Sequence, residues 1–515
     1  MTQIANAFAP DAVNHHGVPT HARSTRQQAR NFLRCGTLSG TFYVSQKDMA
    51  AQQLLTLRRL ADEDPAALAE EAIAAREDGF MRTMPCLALA VLSGVTGKKA
   101  FQDAAPRVIR IPTDATQFSE LCLSGAVPGR KASKSLGGCA VDPVRSFLEG
   151  VSEYHAIKYA AQLRPLVHMT HPRPATPEMR ERLGWLSGQV EGKRVKLNKR
   201  IAAFEALKRT TDEAGIIQLI RTGGLPYECV VGAVSNPSPA VWAELLHVAP
   251  TMNLLKSLVT LTRHGVFQDR DNVRVAAEKL SREGALGQSK IFPHQVYTAW
   301  RTYSALPEAD QTLIAALSDM LDGSVSSIPV FQGRTCIAPD VSGSMRTVRL
   351  SPNSETTPAD IAGVFTAGIM RRCKDSIVLP FDTDIRSLAL NPRDSVLSNA
   401  RRIAMAGGGG TCLSAPVTRL LQTRDRVDTF IGITDNEEWV KHRFIDVWRQ
   451  YRATVAPQAT AILITPVPNQ HSAVPESEPG VHFVHGWSDS VFRFAADAAG
   501  APKPAQAESL EDDSD

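Results

Sequence analysis

The sequence predicts two architectures in one chain: an all-α array of stacked helical pairs, followed by an α/β domain with a doubly wound parallel sheet. Three observations predict them. Between residues 26 and 325 apolar side chains recur at three- and four-residue steps, and β-branched alternation is nearly absent. After about 330, short apolar runs alternate with amphipathic stretches, the pattern of a parallel sheet covered on both faces. The charge divides at the same place, with 38 Lys and Arg against 31 Asp and Glu in residues 1–330, but 19 against 22 in residues 331–515.

Taken in order, residues 1–25 are polar and predict a flexible arm. The adjacent His15 and His16 are not read as metal ligands. Helical periodicity follows at 48–61, 65–77, 81–95, 152–163, 199–210, 240–248, 251–265 and 272–280. Pro65 stands at a first-turn position, where a helix tolerates it. The breaks are short and rich in Gly, Pro and Asn, as in GGLP at 223–226 and NPSP at 236–239. Many short helices with tight turns predict a solenoid, although no clean sequence repeat is present. Beyond 330, strands are expected at 334–338, 376–381, 428–434, 460–465 and 481–484. Helices are expected at 359–373, 398–405, 413–423, 443–452 and 488–499. The strand runs are apolar throughout, as doubly covered strands require. The tail 501–515 ends in LEDDSD and predicts disorder. The expected divisions are therefore 1–25, 26–328, 329–500 and 501–515.

At 515 residues the chain is long enough for several cores, and 43% apolar with 21% charged residues is ordinary for a globular protein. The eight cysteines form no CxxC pair and no zinc-spaced cluster, so reduced, mostly buried thiols are expected. No signal sequence is evident and no apolar run approaches the ~20 residues of a membrane span. A soluble, cytoplasmic, monomeric protein is expected.

The chemistry concentrates at strand ends. Residues 337–345, IAPDVSGSM, place Asp340, Ser342 and Ser344 at alternate positions where a strand turns. In an open α/β sheet ligands bind at the carboxyl ends of strands. Two further strand-end or helix-end loops offer Thr411, after the glycines 407–410, and Asp435, after the strand at 428–434. These five residues are all hard oxygen donors and include two carboxylates, which suits Mg²⁺ or Mn²⁺. Four glycines in a row let a backbone pass close to a ligand. Serine hydrolysis is disfavoured, because no GxSxG elbow and no His in triad context are present. GRKASKS at 129–135 lacks the second glycine and the preceding strand of a phosphate loop. With no general base or nucleophile beside the oxygen set, an enzyme is not expected. Pro339 cannot donate to a sheet ladder, and so predicts a disturbed strand end before Asp340.

The DxSxS of 340–344, the distant Thr411 and the strand-end Asp435 resemble the metal-ion-dependent adhesion site of von Willebrand factor A (vWA) domains. TDNE at 434–437 resembles the form in Ro ribonucleoproteins, which join that domain to a helical module called TROVE. FLRCGTLSGTFY (32–43), SEYHAIKY (152–159), HP at 171–172 and KIFPHQVYTAWRTY (290–303) resemble segments of that module, so the likeness spans roughly residues 25–500.

The resemblance implies a ring of HEAT-like helical repeats closed by the vWA domain. It implies binding of small noncoding RNA, with single-stranded 3′ ends of misfolded RNA in a basic hole and Y-like RNA outside. It further implies a role in RNA quality control, an exoribonuclease as partner, and a partner protein's carboxylate completing the cation shell. The loop residues Arg130, Lys131 and Lys134 would line the hole, Lys158 and His171 match RNA-contacting positions, and Arg173 stands beside His171, free to join. Lys193, Arg194, Lys196, Lys199 and Arg200 add a dense basic run. Ala160, Ala161 and Gln162 replace basic residues usual in the family, which favours 3′ ends over Y-like RNA. The alternative reading is a metal-dependent protein-interaction scaffold without RNA function.

Overall fold

The computed structural model describes residues 10–35, 45–95, 98–188, 197–281, 291–350, 354–438, 443–469, 471–487 and 490–500. They form two compact units. One comprises Met1–Thr56, Ser281–Ala305 and Ile314–Asp515; the other comprises Leu57–Leu280 and Leu306–Leu313.

The first unit is built on a five-stranded, all-parallel sheet. Its strands are β3 (Thr335–Pro339), β4 (Ser376–Val378), β5 (Thr429–Ile433), β6 (Thr460–Thr465) and β8 (Val481–His485), in the order β4-β3-β5-β6-β8. Alternation divides the strands between two faces. Cys336, Ala338, Phe430, Ala461 and Leu463 pack with Val417, Leu420, Phe444, Trp448 and Tyr451 of the helices Ser414–Thr423 and Phe444–Thr454. Ile337, Ile431, Ile433, Ile462 and Ile464, also buried, point the other way. The helix Pro358–Arg372 packs on β3 and β4, and its Phe365 ring lies 4.5 Å from Phe492 of the helix Ser490–Ala498. Thr357 and Asp360 open that helix with reciprocal bonds, a capping box written in the sequence as TPAD.

Pro339 is accommodated in β3 because of the direction its missing N–H would face. The Asp340 N–H reaches Ile433 O on β5 at 2.9 Å, whereas the Val341 N–H reaches Phe381 O on the β4 side at 2.8 Å. By parity, the proline's absent donor falls on the β4 side. On that side the paired register ends at Val378, and beyond it Leu379 and Phe381 donate to the carbonyls of Ile337 and Pro339 at 2.9 and 3.0 Å, so Pro339 bonds there through its oxygen alone. This is also why the strand expected at 376–381 is shorter than its apolar run.

The segment expected to be a flexible arm is instead folded from residue 10 onward. β1 (Ala12–Val13) and β2 (Pro19–Ala22) pair antiparallel, and β2 pairs with β7 (His471–Ser472). Strands of two and four residues carry no readable periodicity; their fixation comes from distant partners. Thr20 Oγ1 donates to Ser472 O at 2.5 Å, and buried Arg23 donates Nε to His471 O at 3.1 Å. The helix Thr25–Cys35 follows. Its buried Asn31 meets His485 Nδ1 at 3.0 Å and accepts Asn469 N–H at 2.8 Å.

The second unit is helical, as expected. Pro65–Glu77 starts at Asp64, whose side chain accepts the Ala67 N–H at 3.0 Å. Arg76 donates Nε and a terminal nitrogen to fully buried Asp114 at 3.1 and 3.0 Å, and Asp114 also accepts the N–H groups of Arg110 and Ile111. One carboxylate thus caps the helix Pro112–Ser124 and ties it to Pro65–Glu77. The helix predicted at 152–163 is broken at Tyr159 (φ −114°, ψ 21°) into Glu153–Lys158 and Ala160–Thr170. Among the described residues no helix is long and apolar enough to cross a membrane. All eight cysteines are free, and six are buried.

Candidate functional site

Within the α/β unit, β3 connects to β4 on one side, and the chain returns to place β5 on the other. The strand order therefore reverses at β3, and the reversal opens the crevice in which such sheets hold ligands. Asp340 follows β3 there, and Thr434 and Asp435 follow β5.

Asp340, Ser342, Ser344, Thr411 and Asp435 are all buried. The Ser342 N–H donates to Asp340 Oδ1 at 2.9 Å, and the hydroxyls of Ser342 and Ser344 lie 3.2 Å apart. Thr434 Oγ1 donates to Asp340 Oδ2 at 2.7 Å. Ser344 and Asp340 both act electrostatically on the Asp435 carboxyl, so the two strand ends come together. The Gly343 N–H donates to Gly409 O at 2.9 Å and draws in the glycine loop, with Thr411 two residues on. Asp435 is fixed from behind. Its carbonyl accepts Asn469 Nδ2 at 2.7 Å, and Asn436 takes a left-handed conformation (φ 62°) with Nδ2 on Thr465 Oγ1 at 2.8 Å.

Burial raises the pKa of both Asp340 and Asp435 above the ordinary carboxylate range, and the neighbouring negative charges raise them further. A bound cation would relieve that repulsion. Among the described residues no three His, Cys, Asp or Glu side chains gather as metal ligands, so a cation here would depend on the hydroxyls as well. Two carboxylates with three hydroxyls fit a hard divalent ion such as Mg²⁺ or Mn²⁺.

Sequence reasoning missed the residues that support this set. Thr434 lies in the quoted TDNE but was not assigned a role. Asp382 is fully buried beside the set, where its charge acts on Asp340, and Arg386 grips it at 2.9 and 2.8 Å. Burial pushes the Asp382 carboxyl up, but the Arg386 guanidinium outweighs it and holds the carboxyl below its usual range. On the far side of the loop, His15 Nδ1 meets Glu437 Oε1 at 3.1 Å and Asn14 Nδ2 donates to Glu438 O at 2.6 Å.

In the helical unit the expected RNA-contacting residues divide. Arg130 donates to Cys122 O (3.2 Å), Ser93 Oγ (2.8 Å) and Leu136 O (2.7 Å), so its guanidinium staples the loop. Lys131 and Lys134 are exposed. The Lys158 side chain is largely buried, with Nζ on Glu228 Oε1 at 2.9 Å and Tyr154 Oη at 3.2 Å; burial opposes its charge, but these partners raise its pKa above the usual value. His171 is exposed in a left-handed conformation (φ 48°) at the end of Ala160–Thr170. Arg173 is exposed, its N–H on Glu149 Oε1 at 2.7 Å. A cavity of about 580 Å³ joins Arg130 and Lys131 to Arg58 and Lys98, with Asp62 the one acid among the described residues that line it. Arg58 is paired to that acid at 2.7 Å. Arg58 and Lys98 are 71 and 31 residues from the start of the GRK loop, so no local motif announced them. Lys193, Arg194 and Lys196 lie outside the described residues, as do residues 36–44, Lys290 and the tail 501–515. Lys199 and Arg200 begin the helix Lys199–Leu207, and Arg200 Nε lies 3.6 Å from Glu153.

Residues 334–497 match the family described as the Ro60 vWA domain. The chain is 26% identical over 462 residues to the RNA-binding protein RO60 of Deinococcus radiodurans, covering 83% of each. It is 24% identical over 312 residues to the RNA-binding protein RO60 of Caenorhabditis elegans, covering 56% of this chain and 46% of that one. The crystal structure of the Deinococcus radiodurans RO (RSR) protein matches with a TM-score of 0.69 at 21% identity, over 93% of this chain and 100% of that chain. A likeness at that identity establishes a shared fold.

Proposed function

We propose, from a vWA domain that matches the Ro60 vWA family and a likeness to Ro proteins over most of the chain, that this is a Ro-type protein that binds RNA through the helical unit and a divalent cation through the vWA domain. The observation that carries the RNA reading is the basic cavity of Arg58, Lys98, Arg130 and Lys131. Both similar proteins are RNA-binding proteins, which supports RNA as the polyanion. Cationic side chains around a cavity contact phosphates, not base edges, so affinity falls with salt and sequence choice is small. Single-stranded 3′ ends of misfolded RNA are the ligands we favour, because an unpaired end is what a narrow basic site can admit. The engagement of Lys158 with Glu228 and Tyr154 supports the same preference over Y-like RNA. The wider role we propose is RNA quality control in the cytoplasm, as a scaffold that brings an exoribonuclease to such ends.

Asp340, Ser342, Ser344, Thr411 and Asp435 would hold Mg²⁺ or Mn²⁺. When bound, the ion supplies a Lewis-acidic position at which a carboxylate of a partner protein can complete the shell. Labelled RNA is expected to stay intact with the protein in Mg²⁺ or Mn²⁺; shortening of the label would establish a nuclease instead.

Filter binding of a single-stranded RNA across a salt series tests the RNA reading. Contact with three to four phosphates gives a log–log slope of about −2 to −3, at about −0.7 per contact. Lys98→Glu with Lys131→Glu should weaken binding at least tenfold. Absence of binding at low salt would leave the protein-interaction scaffold as the reading.

A further inference from the structure

Beside the end of β3 the chain makes a short turn, Phe381–Asp384, that sequence reasoning passed over. It is anchored by the Val341 N–H on Phe381 O at 2.8 Å. Asp382 in that turn is fully buried. Its carboxylate accepts the Gly409 N–H (3.1 Å), the Asp384 N–H (3.3 Å), the Thr383 hydroxyl (3.2 Å) and both arms of Arg386. Its backbone carbonyl accepts the Cys412 N–H at 2.7 Å. Gly409 stands two residues before Thr411 and Cys412 one after it. One residue therefore grips the chain on both sides of Thr411.

The glycines around that grip serve close approach. Gly407 (φ 71°) and Gly408 (φ 119°) occupy backbone conformations that side chains resist. A Cβ on Gly407 would lie 2.6 Å from Val341 Cγ2 and 2.7 Å from its carbonyl oxygen, and one on Gly409 would lie 3.1 Å from Asp382 Oδ2. Gly409 O in turn receives the Gly343 N–H, from between Ser342 and Ser344. Asp382, the glycine loop and the DxSxS turn thus form one continuous set of bonds that flanks Thr411 on both sides.

We propose that Asp382 is a positioning residue for the cation site: it fixes the Thr411 hydroxyl relative to Ser342 and Ser344, while Arg386 neutralises it and keeps it from serving as a ligand. The inference rests on the cation reading of the five oxygen residues. Outer partners that orient a ligand typically change metal affinity by 10- to 100-fold.

The test is Mn²⁺ binding by the full-length protein, followed through the electron paramagnetic resonance of free Mn²⁺, for the wild type, Asp382→Ala, Asp382→Asn, Thr411→Ala and Asp382→Ala with Thr411→Ala. Asp382→Ala should weaken binding at least tenfold, and Asp382→Asn, which keeps an oxygen for Gly409, should recover threefold or more of that loss. Because Asp382 acts through Thr411, the double variant should bind within about threefold of Thr411→Ala alone. Hydrogen exchange without metal should show the Gly409 and Cys412 amides deprotected in Asp382→Ala and protected in Asp382→Asn. If Asp382→Ala does not fold, Asp382→Asn takes its place in the cycle. Wild-type affinity in Asp382→Ala, or losses that add in full with Thr411→Ala, would overturn the positioning role and leave the cation reading standing. A wild type that binds no Mn²⁺ would overturn both.

Discussion

Asp340 was legible in the sequence because its partners are local. Residues at i, i+2 and i+4 on one turn can share a site whatever the rest of the chain does, and the bonds from Ser342 to Asp340 and between the two serines repeat that spacing. Asp340→Ala should abolish Mn²⁺ binding and leave RNA affinity within about twofold; paramagnetic resonance and filter binding on the same preparation check both. Arg130 was legible only as a charge, since nothing in GRK says where a guanidinium's donors go. Arg130→Ala should lower unfolding free energy by about 2 kcal/mol, because it leaves carbonyls of Cys122 and Leu136 without their donor. Lys131→Ala should change stability by less than about 0.5 kcal/mol, as exposed substitutions do, yet weaken RNA binding; urea unfolding beside filter binding separates them. His485 gives a pH signature. It is buried, and burial first, then the charges of Arg23, Arg34 and Arg30, lower its pKa well below 6.5. Between the folded value and 6.5 the unfolded chain binds the extra proton. Its contribution to stability is therefore complete above about pH 6.5 and declines as the pH falls below it. Melting temperature should fall between pH 7 and pH 5, and His485→Gln should flatten that fall.

The long elements follow the sequence, because burial on a strand or helix face leaves a period that can be counted. The run TAILIT became β6 without change, and PAALAEEAIAARE became the helix Pro65–Glu77. Elements held by distant partners left no such trace. β1 and β2 were missed, and the helix Pro293–Ser304, read with the helical array, belongs to the unit of the parallel sheet. There Tyr297 Oη donates to Asp360 Oδ1 at 2.7 Å and Arg301 pairs with the other oxygen of the same capping carboxylate. The vWA domain therefore needs the beginning of the chain. Removal of residues 1–24 should lower the melting temperature and weaken Mn²⁺ binding, because Asn14 and His15 no longer hold the Glu437–Glu438 segment beside Asp435. A truncated protein with an unchanged melting curve and unchanged Mn²⁺ affinity would show those contacts to be idle.

For the whole molecule, the division of charge was the property the sequence stated most directly. The excess of Lys and Arg lies in residues 1–330, and the helical unit holds the basic cavity. Which cations gather there was not legible, since Arg58 and Lys98 come from other helices than the GRK loop. The central claim is that RNA binding is electrostatic, resides in the helical unit and does not need a cation at the site proposed around Asp340 and Asp435. It is tested most directly by filter binding of a single-stranded RNA over a salt series, with Mg²⁺ and with a chelator. The account predicts one straight log–log line of slope about −2 to −3 under both conditions. Absence of binding at low salt, or binding lost on chelation, would contradict it.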